Sequence, residues 1–414
     1  MHLRALTRRN RALVAFLLLA GGTLACGSLG RTSPRPAPAD TSLLPDQAAV
    51  SAMSQALRNS LRQDTVIYFR FVNRQWARRV CQAFAGDATA LPQVRLHGDA
   101  HLEQYAVTDS ARGLDDFDDS AIGPSVVDLV RFLGSIDLAL RRRHWTSALD
   151  TAVGAFLDGY RRGLRDPDYV PAEPAVVRRV RGKAPRDAAA FLAWAESLMA
   201  PLDESRAREV SDLLRQLEPT LRAASPELPD GFLALKKAGS FRMGVGSALT
   251  NKFLLRVEGP TPAPDDDRII EAKELSQLEG IDCLTVPTFR EVFRVIDGAH
   301  QIGRIHHELL AQAPRKPGFQ AADRDWWVKS WQSSYAELAL DDLASAGELT
   351  EVAHDVGAQL GSANLREAGP ARQRDLRAAE LAAITRLEPR IRRTARELVG
   401  QLLLAWRTFG AQPV

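Results

Sequence analysis

Two histidines and a dense run of carboxylates stand close together in this chain: His97, Gly98, Asp99, Ala100, His101, Leu102, Glu103 and Gln104, followed by Leu114, Asp115, Asp116, Phe117, Asp118 and Asp119. The intervening Asp109, Ser110, Ala111, Arg112 and Gly113 read as a turn. Val94, Leu96, Tyr105, Val107, Leu114 and Phe117 draw the segment inward, while its charges resist desolvation. Carboxylates held at the ends of short strands bind a metal, move a proton or orient a cation. His97, Asp99 and His101 alternate, so a strand would present all three on one face. Histidine and aspartate suit zinc or manganese, which makes metal-dependent hydrolysis at these three residues one reading. A structural role is another, with His97 hydrogen-bonded in the core and Asp99 holding a loop.

A second stretch offers phosphate chemistry. Gly239, Gly244, Gly246 and Ser247 precede a strand pattern at 252–257, a loop, and a second strand pattern at 269–275 that carries Lys273. Glycines let the backbone approach phosphate oxygens, and exposed amides satisfy their charge. Lys273 could reach those phosphates, with Glu279 or Glu274 holding it. A tight hairpin would need the same glycines.

Both stretches require elements to position them. Val50, Met53, Leu57 and Leu61, then Phe71, Trp76 and Val80, have helical spacing. Residues 94–117 are strand-rich. After Gly123 and Pro124, Ser125 caps a helix whose broad apolar face is Val126, Val127, Leu129, Val130 and Leu133. Helical pattern continues to about residue 224, with breaks near Pro167 and at 171–174, and the run 225–231 punctuates the chain. Short strands are expected at 232–235, 253–257 and 269–275, with a proline- and aspartate-rich hairpin tip at 259–267. Helical periodicity returns over 289–312 and includes His306, His307 and Glu308, which a helix places at its surface or end. Trp326, Trp327 and Val328 form a short strand pattern, and these tryptophans with Trp331 serve core packing or stack on a ring ligand. Two long helices close the chain near 349–363 and 371–409. This alternation predicts a helix-rich α+β architecture in two lobes.

The chain has 414 residues, 45% hydrophobic and 25% charged, with a net charge of +3. That balance gives no support for a nucleic-acid partner. Arg141, Arg142 and Arg143, and Arg178, Arg179 and Arg181, read as solvated helix faces. At the N-terminus, Arg4, Arg8, Arg9 and Arg11 precede a short apolar run at 12–20, which is a targeting pattern rather than a membrane span. Thr23, Leu24, Ala25 and Cys26 then resemble a bacterial lipobox. That resemblance implies a signal peptide over 1–25, an acylated Cys26 inserted in a lipid membrane, and a Pro/Ser/Ala-rich tether over 26–46. Gly27 resembles the outer-membrane sorting pattern, implying an exported protein anchored at the periplasmic face of the outer membrane. Cys81 and Cys283 remain; a disulfide between them is permitted outside the cytoplasm but not demanded.

The motif His97-Gly98-Asp99-x-His101, an amide five residues after the Asp, and Asp116-Phe117 further on resemble the catalytic core of aminoglycoside and choline phosphotransferases, which have a protein-kinase-like fold. The resemblance implies that Asp99, flanked by His97 and His101, faces an acceptor hydroxyl. It implies that Asp116, Gln104 and Asp118 hold Mg²⁺, with Gln104 standing where those enzymes carry Asn. Gly123-Pro124-Ser125-Val126-Val127-Asp128-Leu129 resembles a segment of the same enzymes whose Asp anchors the catalytic loop, here Asp128.

In those enzymes the glycine loop and lysine come first in sequence; here they come after the acidic run. With this inverted order the chain resembles the bacterial family catalogued as domain of unknown function 2252. The likeness includes His97 to Tyr105, Asp115 to Asp119, Gly123 to Leu129, Gly244 to Ser247, and Lys273-Glu274. It implies a kinase-like fold with permuted lobes: a larger lobe over 47–230, a smaller strand-rich lobe over 231–288, and a helical part over 289–414. Gly244, Gly246, Ser247, Lys273 and Glu279 would then position the donor phosphates. The implied function is a membrane-anchored, Mg²⁺-dependent phosphotransferase using ATP or another phosphate donor on a hydroxyl of a small molecule or protein. The alternatives are a non-catalytic envelope protein that binds a ligand or partner on this scaffold, and the metal-dependent hydrolase. The phosphotransferase reading requires the acidic strip and the glycine-lysine strip to line one crevice.

Overall fold

The computed structural model describes residues 41–87, 90–184, 187–224, 229, 231–241, 245, 249–285, 293–313, 325–363 and 370–411. Cys26 and the rest of 1–40 lie outside the described residues, as do Gly244, Gly246 and Ser247. Among the described residues, no helix is long and apolar enough to cross a membrane.

The chain is a helix-rich α+β protein. Four short helices come first: α1 (Gln47–Ala52), α2 (Gln55–Gln63), α3 (Thr65–Phe71) and α4 (Asn73–Ala83). Leu43, at the end of the segment read as a tether, is already fully buried, and its carbonyl accepts a hydrogen bond from Tyr68 Oη at 2.9 Å. Next come β1 (Gln93–Leu96), β2 (Tyr105–Val107), β3 (Arg112–Leu114) and β4 (Ala121–Pro124). β1 pairs with β4, and β2 with β3, both antiparallel.

The helix expected after Ser125 is α5 (Val126–Arg142), the axis of the main core. Apolar side chains surround it, so even Asp128, Arg131 and Asp137 are buried along it. α6 (Leu149–Arg165) follows, then α7 (Ala175–Arg181), α8 (Ala188–Ser197) and α9 (Glu204–Ala224). Toward the C-terminus α11 (Ala346–Ala363) lies along α6 and α12 (Pro370–Ala411) along α5. The α6–α11 contact depends on glycine: a Cβ on Gly159 would meet the His354 carbonyl oxygen at 2.2 Å, and one on Gly361 the Tyr160 carbonyl oxygen at 2.1 Å. α12 buries Ile384, Leu387, Ile391, Leu398, Leu402 and Phe409, a stripe at helical spacing.

Between α9 and α11 lies a five-stranded antiparallel sheet. Its strands are β5 (Leu235–Ser240), β6 (Lys252–Val257), β7 (Arg268–Glu274), β8 (Leu310–Ala313) and β9 (Trp326–Ser330), in the spatial order β5-β6-β7-β9-β8. Period-2 alternation sorts its two faces. Phe253, Leu255, Ile270, Ala272, Trp326 and Val328 pack with Val210, Leu213 and Leu217 of α9. The opposite face carries Lys252, Glu271, Lys273 and Lys329, with Lys252 beside Lys273 and Glu271 beside Lys329 in register. β10 (Ala336–Glu337) then joins β2, tying the end of this sheet to the acidic segment.

The helix expected over 289–312 is instead a shorter α10 (Phe293–Gln301) followed by β8. Leu309, Ala311 and Ala313 alternate into the sheet core, and pairing with β9 overrides the helical spacing. The strand expected at 232–235 begins only at Leu235, because Phe232 and Leu233 plug the core from a turn. Cys81 and Cys283 are joined by a disulfide, which pins the segment between β7 and α10 to α4. Arg74 and Arg78 of α4 reinforce this by donating to the carbonyls of Glu279 and Gly280.

Candidate functional site

The site is assembled from the end of β1 upward. Asp128, in the first turn of α5, accepts the backbone N–H of His97 at 2.7 Å and of Gly98 at 2.9 Å. Burial pushes the Asp128 carboxyl above its ordinary range despite the nearby His97 and these two amides. Gly98 has φ +85°, and a Cβ there would meet the Asp119 carbonyl oxygen at 1.8 Å, so only glycine fits. The two acidic runs are thereby clamped to each other. Asn73 of α4 closes the clamp by donating to the Gly98 carbonyl at 3.0 Å and to Asp119 at 2.9 Å.

His97 is consumed by this scaffold. Its Nε2 meets the Asp115 carbonyl at 3.0 Å, and its Nδ1 accepts the Asp99 N–H at 3.3 Å. Both ring nitrogens of His97 are thus engaged within the scaffold. Among the described residues, no group of three His, Cys, Asp or Glu side chains gathers as a metal site. Asp99 is held by Arg131 of α5, at 2.7 Å from Nη2 and 2.9 Å from Nε. Burial alone would raise the Asp99 carboxyl, but the charges of Arg131 and His101 outweigh it and hold the group down at about 2. The Arg131 guanidinium is itself buried, 3.5 Å from the Phe69 ring centroid. His101 lies 3.6 Å from Asp99, and burial lowers its pKa.

The second run turns through Asp116, whose φ of 65° is left-handed. A non-glycine residue in that region costs backbone energy and persists only where its surroundings over-determine it. Lys273 Nζ supplies part of that constraint, at 2.7 Å from Asp116, 3.1 Å from Asp118 and 3.8 Å from Glu271. Burial would raise the Asp116 carboxyl, but Lys273 and then Lys329 hold it well below the ordinary carboxylate range. Asp118 goes the other way: burial and the charge of Asp116 push it up to about 7. Its Oδ1 is buried with no hydrogen-bond partner. Arg294 of α10 fixes this turn through the carbonyls of Asp118 and Ser120.

Glu279 does not hold Lys273. It is exposed beyond β7, and Glu274 instead accepts from Asn251. The partner on the same strand is Glu271, two residues before the lysine and therefore on the same face.

The cleft beneath the sheet has a volume of about 560 Å³. Lys252, Lys273, Lys329, Arg70, Asp116 and Gln104 line it. A side chamber of about 70 Å³ opens among Asp99, Asp118, Asp119 and Ser276, sharing Arg70, Gln104 and Asp116 with the main cleft. Asp115 braces the floor, accepting Lys329 Nζ at 2.9 Å and lying 3.1 Å from His307 Nε2. His307 Nδ1 is 3.0 Å from the Ser330 carbonyl. His307, Lys329, Lys252, Glu271, Arg70 and Arg131 were not among the residues singled out from sequence for this site. One signal was present: Lys252, Glu271, Lys273 and Lys329 occupy alternate positions of strands whose other positions are apolar. Charge on the inner face of a buried strand marks a site rather than a solvated surface. His307 gave no such signal, since its segment reads as helix.

The arrangement is therefore a buried ion-pair cleft on a helix-rich α+β scaffold, with a cationic roof and an acidic side chamber. The family described as an uncharacterized protein conserved in bacteria (DUF2252) matches residues 59–188, the stretch that contains both acidic runs and Asp128. No curated protein and no solved structure matches the chain.

Proposed function

We propose that this protein binds a phosphate-bearing ligand with Mg²⁺ in the cleft beneath the five-stranded sheet and transfers a phosphoryl group to a hydroxyl. The single observation that carries this reading is the meeting of Lys273 with Asp116 and Asp118 across the cleft. In protein kinases a lysine on the third strand of the sheet pairs the phosphates, and the Asp of an Asp-Phe-Gly run holds the metal. Here Lys273 lies on the third strand of the sheet in chain order, and Asp116 precedes Phe117. On this reading the fold is kinase-like, with the acidic-loop segment preceding the sheet in sequence. One departure stands out: Lys273 has no glutamate partner from α10, and Glu271 of its own strand is nearest in that role.

Asp116, Asp118 and the Gln104 amide would hold the metal. They are hard oxygen donors of the kind Mg²⁺ takes, and the buried, partnerless Oδ1 of Asp118, a residue that lines the side chamber, supports the fit. Bound there, Mg²⁺ would neutralise phosphate charge. Lys273, with Lys252 beside it, would orient the donor phosphates, and Asp99 would face the acceptor. The disulfide supports an exported location, in keeping with a membrane anchor through Cys26. A thermal-shift titration with Mg-ATP tests the reading, since a ligand that binds only the folded state raises the melting temperature. A rise in the wild type that is lost in Asp116→Ala is expected. No rise with any nucleotide or inorganic polyphosphate would overturn it.

A second reading, binding without catalysis, is favoured by one contact. Arg131 Nε and Nη2 both bind Asp99 Oδ1 and neutralise the carboxylate that would receive the acceptor proton. Phosphoryl transfer measured with a panel of hydroxyl acceptors separates the two: turnover lost in Asp99→Asn, with Mg-ATP binding kept, supports catalysis.

A further inference from the structure

We infer that the cleft holds a ring subsite built by Trp194, Trp331 and Phe241, and that its ligand is therefore a nucleotide or a similar phosphorylated aromatic compound rather than a bare polyphosphate. The inference rests on the phosphate-binding reading above and adds the other half of the ligand.

The sheet roof directly around Lys273 is already filled by the protein itself: Trp327 lies opposite it in register, its ring centroid 5.3 Å from Nζ. Lys252, Glu271 and Lys329 surround Lys273, and each is buried and charged. A neutral ring placed there would strip these groups of their partners. The same cleft is also lined by Phe191, Trp194, Phe241 and Trp331, with the Phe241 ring centroid 5.8 Å from Lys252 Nζ. Phe191 and Trp194 stand three residues apart on α8, so they share a helix face. Trp194 meets Trp331 with ring centroids 5.6 Å apart, and Phe241 meets Trp331 edge-on at 5.3 Å. Phe191, Leu192 and Ala195 seat α8 on Leu254 and Ile269 of the sheet. Trp194 nevertheless remains 43% exposed, although it lines the cleft. A large indole held open within an ordered aromatic group offers a stacking face to a ring.

Two further observations tie this wall to the phosphate end. Trp331 Nε1 donates to Glu271 at 2.9 Å, and Glu271 lies 3.8 Å from Lys273 Nζ. The aromatic wall and the cation are thus linked through Glu271 within one cleft. The wall is also fixed in place. Glu196 at the end of α8 accepts from Lys237 at 2.7 Å and from Arg256 at 2.6 Å, and Ala200 bridges to Ser240 of β5. Pre-formed walls lower the ordering cost of binding.

The test compares Mg-ATP, Mg-GTP and inorganic tripolyphosphate with Mg²⁺ on the full chain by calorimetry, with tryptophan fluorescence as a second readout. Mg-ATP or Mg-GTP is expected to bind at least about tenfold more tightly than tripolyphosphate, since stacking on an aromatic contributes that much or more. Trp194→Ala should remove most of that difference while changing tripolyphosphate affinity less than about twofold, and Trp194→Phe should keep it. Because Trp194 is exposed, the variant tests the ring contact rather than the fold. Equal affinity for nucleotide and tripolyphosphate would overturn the ring subsite and leave the phosphate reading standing. Failure of all three ligands to bind would overturn both.

Discussion

Lys273 Nζ lies 2.7 Å from Asp116 Oδ1, although 157 residues separate them in the chain. The contact brings the five-stranded sheet against the acidic segment at the mouth of the side chamber. Asp116 adopts its left-handed backbone, Asp118 shares the same ammonium, and Arg294 holds the backbone that follows through the carbonyls of Asp118 and Ser120. Opposite charges withdrawn together from water are mutually dependent: the pair tolerates burial, and either half alone does not.

Lys273→Met should therefore leave Asp116, Asp118 and Glu271 facing one another without their shared cation. A loss on the order of 3–5 kcal/mol is expected for breaking a buried pair of this kind. Added Mg²⁺ should restore more of the melting temperature in the variant than it adds to the wild type, because the freed carboxylates are then open to a divalent ion. Equal Mg²⁺ responses in the two proteins would argue against a cation site at Asp116 and Asp118.

Asp99 and Arg131 make a second such pair. With its folded pKa held at about 2, below the ordinary aspartate value of 3.8, Asp99 contributes stability that is fully present above about pH 4. That contribution is lost as pH falls from 4 toward 2. Asp99→Asn should lower stability at pH 7 by several kcal/mol, because Arg131 stays buried without its counter-charge. The gap from the wild type, followed by urea unfolding, should shrink steadily below pH 4. A gap independent of pH would show that Asp99 acts through packing alone.

Glu380 presents the opposite sign. It is fully buried on α12, and it accepts hydrogen bonds from Ser125 Oγ and, at 2.9 Å, from Tyr160 Oη. Burial raises its pKa above the ordinary 4.5. Its folded state favours the proton, so it lowers stability as pH rises through the ordinary glutamate value. Glu380→Gln keeps an acceptor oxygen and cannot ionise. The variant should melt higher than the wild type at pH 8 and at nearly the same temperature at pH 4. A lower melting temperature at pH 8 would mean that the charge itself is needed.

Reduction of the Cys81–Cys283 disulfide should also be visible. The two residues are 202 apart, and the chain-entropy account assigns a closed loop of that length a stabilisation of about 5 kcal/mol. Cys81→Ser/Cys283→Ser should melt several degrees lower, and dithiothreitol should lower the wild type to match. A melting temperature unmoved by reductant, in protein whose thiols are confirmed free, would show that the Arg74 and Arg78 contacts hold this segment by themselves.

Much of this protein is legible from local pattern. The helix after Ser125, the two long closing helices, β6, β7 and β9 follow from period and breakers, which depend on near neighbours along the chain, although the Ser125 side chain does not cap its helix and donates to Glu380 instead. The location of Lys273, on a strand behind a glycine-rich stretch, was legible in the same way.

Other features were decided only by tertiary structure. Residues 306–313 have the spacing of a helix, yet pairing with β9 makes β8 of Leu310–Ala313 and carries His307 against Asp115. His97 and Asp99 look like ligands in sequence; the fold gives His97 the Asp115 carbonyl and Asp99 the Arg131 guanidinium as partners, both distant in the chain. Glu271 rather than Glu279 is the carboxylate nearest Lys273 on its own strand, because strand alternation turns it to the same face. The physical reason is common to all three. Secondary structure follows from interactions a few residues long, whereas the partner of a buried charge is set by whichever group the fold brings within about 3 Å, and desolvation makes that partner decisive.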